Sequence, residues 1–544
     1  MKKHIYITAV LLIGLSAASC TDKLDEEFQL GALGSEEFYA NANDDQALSL
    51  ISSVYTSAWG TRGGMEGYTD DYAVSSSYQD VSNDTFSGGL SLSALYQINY
   101  KCNMIIENVP DNTEAKKRVI GEAYFFRGWA FFQLIRGWGT PPLVDHVLST
   151  DELTPYNSTK EELWNYVQES FSKAAELIPS KPSLGSQRAF GARVSKEVVY
   201  TYMGKAYLYA GDKSSAAQAL KRVIDSGKYR LLENYSDLFT CAGDFSDEYM
   251  WEYNANDDDD AMRSYEARIS YSDMWRGEYV VMPGGDHLCG LGEGHSTNQP
   301  SESFYNFMVA RGEKGKNRMY GTVWTVEDAA NKFVELSGEE YKGTPNYEGD
   351  NLVRYTSQGY TPYQAGYMLF WKDFIQGYFN GSQGYFQSKI YMWHSDMYTA
   401  TNTLDIYSKA NYPVLRYSDA LLLYAEATVD SQAGLSAINE VRGRAGLDAL
   451  ASYTLKDVQD ERRAEFYGEG ERWFDCVRWG IAKTEFAEVG KMNYTLVGNR
   501  DTFSDSVTSE PQANYRGWDD KYLLFPYPTS ELAQNPNLKQ NPGW

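Results

Sequence analysis

Glu461 and Glu465, one helical turn apart, are a pair whose type and spacing could do acid–base chemistry in this 544-residue chain. Two neighbouring carboxylates are what glycosidic-bond cleavage requires, one as acid and the other as base or nucleophile. They sit, however, in the run Glu461, Arg462, Arg463, Glu465, Glu469 and Arg472, where opposite charges recur three or four residues apart. That spacing supports local ion pairs along a helix, and the sequence places no sugar cleft beside them. The structural reading is preferred, with Phe466, Trp473, Phe474 and Trp479 burying the same stretch. Other catalytic signatures are missing: there is no H-E-x-x-H, no G-x-S-x-G elbow, no P-loop and no G-x-G-x-x-G. Asp257 to Asp260 could hold a calcium ion through carboxylate oxygens, but they lack EF-hand spacing and read better as a solvated loop. His287 and His295 lie in a Gly-rich stretch and read as polar loop residues rather than metal ligands. No cofactor is expected.

Cys20 carries a different chemistry. Lys2 and Lys3 precede an apolar run from Ile5 to Leu15, and Ser16-Ala17-Ala18-Ser19 leads into the cysteine. This is the charged, apolar and small-residue order of a secretory leader. A cysteine directly after the small residues resembles a bacterial lipoprotein signal, with residues 1–19 removed and Cys20 lipidated. Ala17 stands where leucine is the commoner choice. The apolar run, at roughly ten residues, is short of the about 20 that span a bilayer. Residues 20–34 then read as a lipidated cysteine and flexible tether, acidic in Thr21 to Phe28. Acyl chains anchor through burial of about 0.8 kcal/mol per CH₂.

These groups need a scaffold, and the chain supplies helices. Apolar residues recur at helical spacing over 44–58, 90–108, 114–137, 159–178, 192–210, 213–227, 417–429, 433–445 and 455–479. Breakers separate them: Pro110-Asp111-Asn112, Gly139-Thr140-Pro141-Pro142, Ile178-Pro179, Gly211-Asp212 and Gly446. The word Gly121-Glu-Ala-Tyr124 returns as Gly204-Lys-Ala-Tyr207, the second followed by small residues at Ala216, Ala217 and Ala219. This resembles tetratricopeptide helix pairs, and predicts a mostly α fold in which such pairs stack as a superhelical scaffold. The body is assigned to 35–544, with helical repeats over about 35–230 and 400–490. Between 240 and 400 Gly, Asn, Asp, Ser and aromatic residues replace the helical period, giving a long loop-rich aromatic subdomain. Long loops on a rigid scaffold are where binding usually resides.

Composition narrows the partners. The formal charge of −25 opposes nucleic acid and anionic head groups, which need clustered Lys and Arg. Besides Cys20 the cysteines at 102, 241, 289 and 476 show neither C-x-x-C pairing nor metal spacing, and read as buried thiols rather than a disulfide framework. Aromatic content reaches 15%, with 44 Tyr and 13 Trp. Rings with an apolar face and a polar handle suit flat amphipathic ligands such as sugars.

Longer words carry a family resemblance. They are Gly121-Glu-Ala-Tyr-Phe-Phe-Arg127 running to Gly139-Thr-Pro-Pro-Leu143, and Tyr412-Pro-Val-Leu-Arg-Tyr-Ser-Asp-Ala-Leu-Leu-Leu-Tyr-Ala-Glu-Ala427. Ile438-Asn-Glu-Val-Arg442, Arg444-Ala-Gly-Leu447, Glu461-Arg-Arg-Ala-Glu-Phe466, Glu469-Gly-Glu-Arg-Trp-Phe-Asp475 and Arg478-Trp-Gly480 follow. Pro526-Tyr-Pro528, Glu531-Leu532 and Asn535-Pro-Asn-Leu-Lys-Gln-Asn-Pro-Gly543 close the chain. In this order the sequence resembles the SusD/RagB-like nutrient-binding outer-membrane lipoproteins, thinning between 230 and 400. The resemblance implies a non-enzymatic protein, lipid-anchored in the outer membrane and facing the exterior. It would bind oligosaccharides (peptides in RagB-like members) and deliver them to a SusC-like TonB-dependent transporter.

No matched motif transfers ligand residues, because that family's lie in variable loops. The expected platform is therefore drawn from loop aromatics: Trp59, Tyr78, Trp275, Tyr279, Trp324 and Trp371, with Asp80, Asn83 and Arg276 as polar partners. A second aromatic group, Tyr68 and Tyr72 with Asp70 and Asp71, follows the first helix. A surface glycoside hydrolase is the competing expectation, and would need a carboxylate pair within 240–400.

Overall fold

The computed structural model describes residues 35–61, 65–73, 86–87, 89–254, 300–325, 328, 385–389, 397–399, 406–408, 410–499, 504–512, 515 and 517–544. Helices dominate, as the apolar period predicts. The N-terminal series is α1 (Ser35–Ala40), α2 (Asp44–Gly60), α3 (Leu92–Asn108), α4 (Glu114–Trp138), α5 (Lys160–Leu177), α6 (Gln187–Phe190), α7 (Lys196–Ala210) and α8 (Lys213–Asp225). Side-chain caps fix their starts. Asn43 and Thr159 form capping boxes with Gln46 and Glu162, while Thr113, Ser195 and Asp212 each accept an amide of the first turn.

The pairs stack in chain order: α4 against α5, α5 against α7, and α7 against α8. The series continues in α11 (Tyr417–Ala427), which packs on α8 and on α12 (Gln432–Arg444) and α13 (Leu455–Glu465). The repeated glycine word now has a cause. A Cβ on Gly121 would lie 2.7 Å from Leu177 Cβ, and one on Gly204 would lie 2.5 Å from Leu220 Cγ. Each glycine is where the first helix of a pair lies tightly on the second. Helix α4 is buried on nearly every side because α2, α3 and α5 all pack around it. Cys102 and Cys476 are buried free thiols in this core, and burial pushes both up in pKa.

Short strands knit the remaining sequence. β1 (Tyr249–Tyr253) pairs antiparallel with β6 (Tyr412–Arg416), opposing Tyr253 to Tyr412 and Tyr249 to Arg416. Between them in sequence lie α9 (Glu302–Ala310), α10 (Asn317–Tyr320), β2 (Val323–Thr325) paired with β3 (Tyr385–Gln387), and β4 (Met397–Thr399) paired with β5 (Ile406–Ser408). After α13 come α14 (Arg472–Arg478), α15 (Ala482–Glu485), the hairpin β7 (Met492–Asn499) and β8 (Ser504–Pro511), and α16 (Thr529–Gln534).

One expected helix is two. The stretch 455–479 breaks between α13 and α14, where Gly468 and Gly470 take φ of +77° and +79°. Left-handed backbone of this kind ends a helix. The C-terminal words clamp α4: the Phe525 amide donates to Gly137 O at 2.7 Å, and Trp138 Nε1 donates to Pro526 O at 2.9 Å. Among the described residues no helix is long and apolar enough to cross a membrane.

Candidate functional site

Helix α2 buries Ala47, Ile51, Val54 and Ala58 along one stripe, which leaves the next residue, Trp59, at the flank of the core and half-buried. Pairing of β1 with β6 sets Tyr253 and Tyr412 opposite one another beside it. The Trp59 ring meets Tyr253 edge-on at 4.0 Å between centroids and Tyr412 at 5.8 Å. Phe239 adds a further edge contact on Tyr412 at 6.2 Å. Tyr253 remains half-buried while Tyr412 is buried. This ring group stands at a junction in the chain. Tyr253 leads within two residues into 255–299, which contain Trp275 and Tyr279, and β6 begins four residues after β5.

Of the other expected platform residues, Tyr78, Trp275, Tyr279 and Trp371 lie outside the described residues, as do Asp80, Asn83 and Arg276. So do Cys20, Asp257 to Asp260, His287 and His295. Trp324 requires a correction. Strand β2 sets it opposite Phe386 of β3 and its ring lies 5.7 Å from Tyr320, leaving it 3% exposed. That ring is core, and it belongs to a different group from Trp59. Tyr68 and Tyr72 are likewise taken up by packing. Tyr68 meets Phe86 and Trp473 edge-on, and Tyr72 stacks on Tyr467 at 4.9 Å.

Beneath the ring group lies a lattice of buried charge, and it settles the part of the glutamate pair. Glu461 Oε1 accepts from Arg318 at 2.6 Å, and its other oxygen accepts from Arg311 and, at 3.3 Å, from Arg442. Glu465 accepts from Arg416 at 2.7 Å, from Arg318 at 3.1 Å and from Arg444. Arg416 also reaches Glu248 at 2.6 Å and Glu469 at 2.6 and 2.9 Å. The expected ion pairs within one helix are not those that form. Arg462 instead binds Asp419 at 2.6 Å and Asp475 at 2.7 Å, and Arg463 binds Asp71 at 2.6 Å. Arg472 binds Asp70 at 3.1 Å and Glu485 at 2.6 Å. The face of α13 that carries Glu461, Arg462 and Glu465 is buried, so these charges find partners on the elements packed around it, while exposed Lys456 pairs with Asp460 one turn on.

Both glutamates are fully buried. Burial alone would raise their pKa values, but Arg318 and Arg311 at Glu461, and Arg444 and Arg416 at Glu465, outweigh it and hold both carboxyls below the usual range. A general acid at neutral pH needs the opposite shift. The pair therefore fastens α13 to β6 and α10. Lys389 joins the lattice by donating to the Glu465 and Tyr467 carbonyls at 2.8 and 2.9 Å, and burial pulls its ammonium down to about 8 against the pull of Glu469. No group of three or more His, Cys, Asp or Glu among the described residues could hold a metal ion.

Sequence reasoning missed Tyr253 and Tyr412 as companions of Trp59. The available signal was that Tyr253 closes one strand-like run, YMWEY, and Tyr412 opens another, YPVLR, at the two borders of the loop-rich stretch. It also missed Arg311, Arg318 and Lys389, which no local spacing links to α13.

Comparison with known proteins agrees with this architecture. The sequence pattern described as "SusD family" matches residues 247–544, and one described as "Starch-binding associating with outer membrane" matches residues 36–208. The chain is 26% identical to SusD-like protein P2 of Formosa agariphila over 589 residues, covering all of both chains. Among solved structures, a laminarin binding SusD-like protein superposes with a TM-score of 0.68 at 20% identity, over 93% of this chain and 100% of that one. Surface glycan-binding protein A of Bacteroides thetaiotaomicron, in complex with laminarihexaose, gives 0.66 at 18% identity over 92% and 100%. With its C-terminal half matched throughout and its helical stack shared, the chain belongs to the SusD family.

Proposed function

We propose that this protein captures oligosaccharides at the cell surface and passes them to a partner TonB-dependent outer-membrane transporter, without cleaving them. The observation that carries the reading is the Trp59 ring, half-buried and cornered by Tyr253 and Tyr412 at the entry to residues 255–299. A flat amphipathic ring packed edge-on by Tyr253 and Tyr412 suits the C–H face of a sugar. Trp275, Tyr279, Tyr78 and Trp371 are the rings we assign to the same platform, and Trp324 is left to the core. The locked state of Glu461 and Glu465 favours binding over hydrolysis, since neither carboxyl is accessible. Relatives named for laminarin, laminarihexaose and starch favour a glycan over a peptide.

The address follows the same reading. Cys20 after its leader would supply the lipid anchor, and the acidic stretch after it would act as a tether on the outer face of the outer membrane. The family description, which includes association with the outer membrane, supports it. The test is affinity gel electrophoresis against a polysaccharide panel, with reducing ends assayed in the same mixtures. Retardation by at least one glycan with no new reducing ends is expected. Release of reducing ends, abolished by one Asp or Glu substitution, would replace the reading with a hydrolase.

A further inference from the structure

One buried carboxylate stands apart from the rest. Among the described residues, the other buried Asp and Glu side chains each pair with an Arg or Lys. Glu252, 0% exposed, has no cation within ion-pair distance. Its Oε2 accepts from the Asn411 side chain at 2.9 Å and from the Phe245 amide at 3.1 Å. Its Oε1 is buried with no hydrogen-bond partner. The same holds for Oε1 of Gln187, 2% exposed, whose amide is a hydrogen-bonding neighbour of the Glu252 carboxyl. A carboxylate oxygen and an amide oxygen only accept, so neither answers the other. A hydrogen on Glu252 Oε1 makes that atom a donor, with the Gln187 oxygen as its acceptor. Ser246 Oγ, also buried and unpartnered, carries its own hydrogen. A metal ion could likewise answer a buried carboxylate, but among the described residues no three His, Cys, Asp or Glu gather to hold one.

This carboxyl lies at the root of the ring group. In the β1–β6 pair Glu252 opposes Pro413 and Tyr253 opposes Tyr412. The Asn411–Glu252 bond therefore ties the two strands one step from the tyrosines that pack on Trp59. Three charged or titratable groups surround it. The Arg188 guanidinium lies over the Phe245 ring at 4.1 Å, Asp244 Oδ1 accepts from the Asn411 backbone amide at 2.8 Å, and the Tyr249 hydroxyl accepts from the Phe239 amide at 2.9 Å. Burial raises the Glu252 carboxyl above its ordinary value, against Asn411, the Phe245 amide, Gln187 and Arg188, which pull it down.

We propose that Glu252 is a positioning residue for the ring group, a fastener between β1 and β6 that is fully hydrogen-bonded when neutral and left with an unanswered buried charge when ionised. A carboxyl raised on folding lends stability that is full below its ordinary value of 4.5 and is lost as the pH rises through the raised value. On the reading that this ring group captures glycan, affinity falls over the same interval.

Glu252→Gln is the probe, because glutamine keeps an acceptor for Asn411 and Phe245 and offers Gln187 an N–H at every pH. Urea unfolding of the ligand-free protein should give a midpoint gap that is smallest at pH 5 and widens in the variant's favour towards pH 8. Calorimetry with maltohexaose, laminarihexaose and xylohexaose should show wild-type affinity for a bound sugar falling about fivefold or more over this range, the low end of ordinary coupling between sites. The variant's affinity should stay level. A gap that does not change with pH, a variant that does not fold, a wild-type affinity that ignores pH, or an equal fall in the variant overturns the proposal. A widening gap in a protein that binds none of the three sugars upholds the fastener and removes the capture reading instead.

Discussion

Replacing Glu465 by glutamine is the sharpest probe of the buried lattice. Its Oε1 accepts from Arg416 at 2.7 Å and from Arg444, and its Oε2 accepts from Arg318 at 3.1 Å. Glutamine keeps one acceptor oxygen and turns an NH₂ donor towards a guanidinium. At least one charge-assisted bond is lost, about 1.5–3 kcal/mol. Three buried guanidiniums also lose a shared counter-charge, and breaking a buried pair by removing one member costs about 3–5 kcal/mol. A total near 4 kcal/mol is expected. With an m-value of about 3 kcal/mol/M, the urea midpoint should fall by about 1 M. Intrinsic fluorescence reports the transition, since Trp473 is buried in the core. Glycan affinity of the folded variant should match that of the wild type. A variant as stable as the wild type would refute the reasoning, as would loss of a glycan-cleaving activity with stability intact.

Three further outcomes follow. Gly204→Ala should destabilise by about 1–3 kcal/mol despite alanine's better helix propensity, because its Cβ meets Leu220 Cγ at 2.5 Å; equilibrium denaturation checks it. Trp59→Ala should weaken glycan binding at least tenfold and also cost roughly 2 kcal/mol, about half of a fully buried Trp→Ala change, since Tyr253 and Tyr412 pack on the ring; calorimetry and melting measure the two separately. Burial alone would raise the Asp419 carboxyl, but Lys205 and Arg462 outweigh it and hold it down to about 2 from 3.8. A carboxyl lowered on folding stabilises above its unfolded pKa and loses that contribution as pH falls through its folded pKa. The stability gap between wild type and Asp419→Asn should therefore be full at pH 5 and shrink between about pH 4 and pH 2, by roughly 2 kcal/mol.

The helices were legible because an apolar period reports which residues share a face, and caps and breakers report where the face ends. Thus Asn43, Thr113 and Thr159 open helices where the sequence places them, and Gly139 and Gly211 follow two of the ends. The period does not report what the face meets. Glu461 looks like a helix-surface charge, yet its partner Arg318 is 143 residues away. The break at Gly468 and Gly470 was hidden because the charge spacing runs on through it. Trp324 shares the Gly-rich aromatic texture of a binding loop, and only its strand pairing removes it to the core. Trp59 reads in the sequence as a loop ring just past the helix of 44–58, but it lies in the last turn of α2, and the two tyrosines beside it arrive through a long-range strand pair.

Capture without bond-breaking by rings anchored at Trp59 is open to calorimetric titration of the full-length protein with an oligosaccharide length series. Saturable one-site heats that strengthen with chain length, weaken at least tenfold in Trp59→Ala, and leave every oligosaccharide intact are expected. Heats absent across the series, unaffected by Trp59→Ala, or accompanied by shortened products would contradict the account.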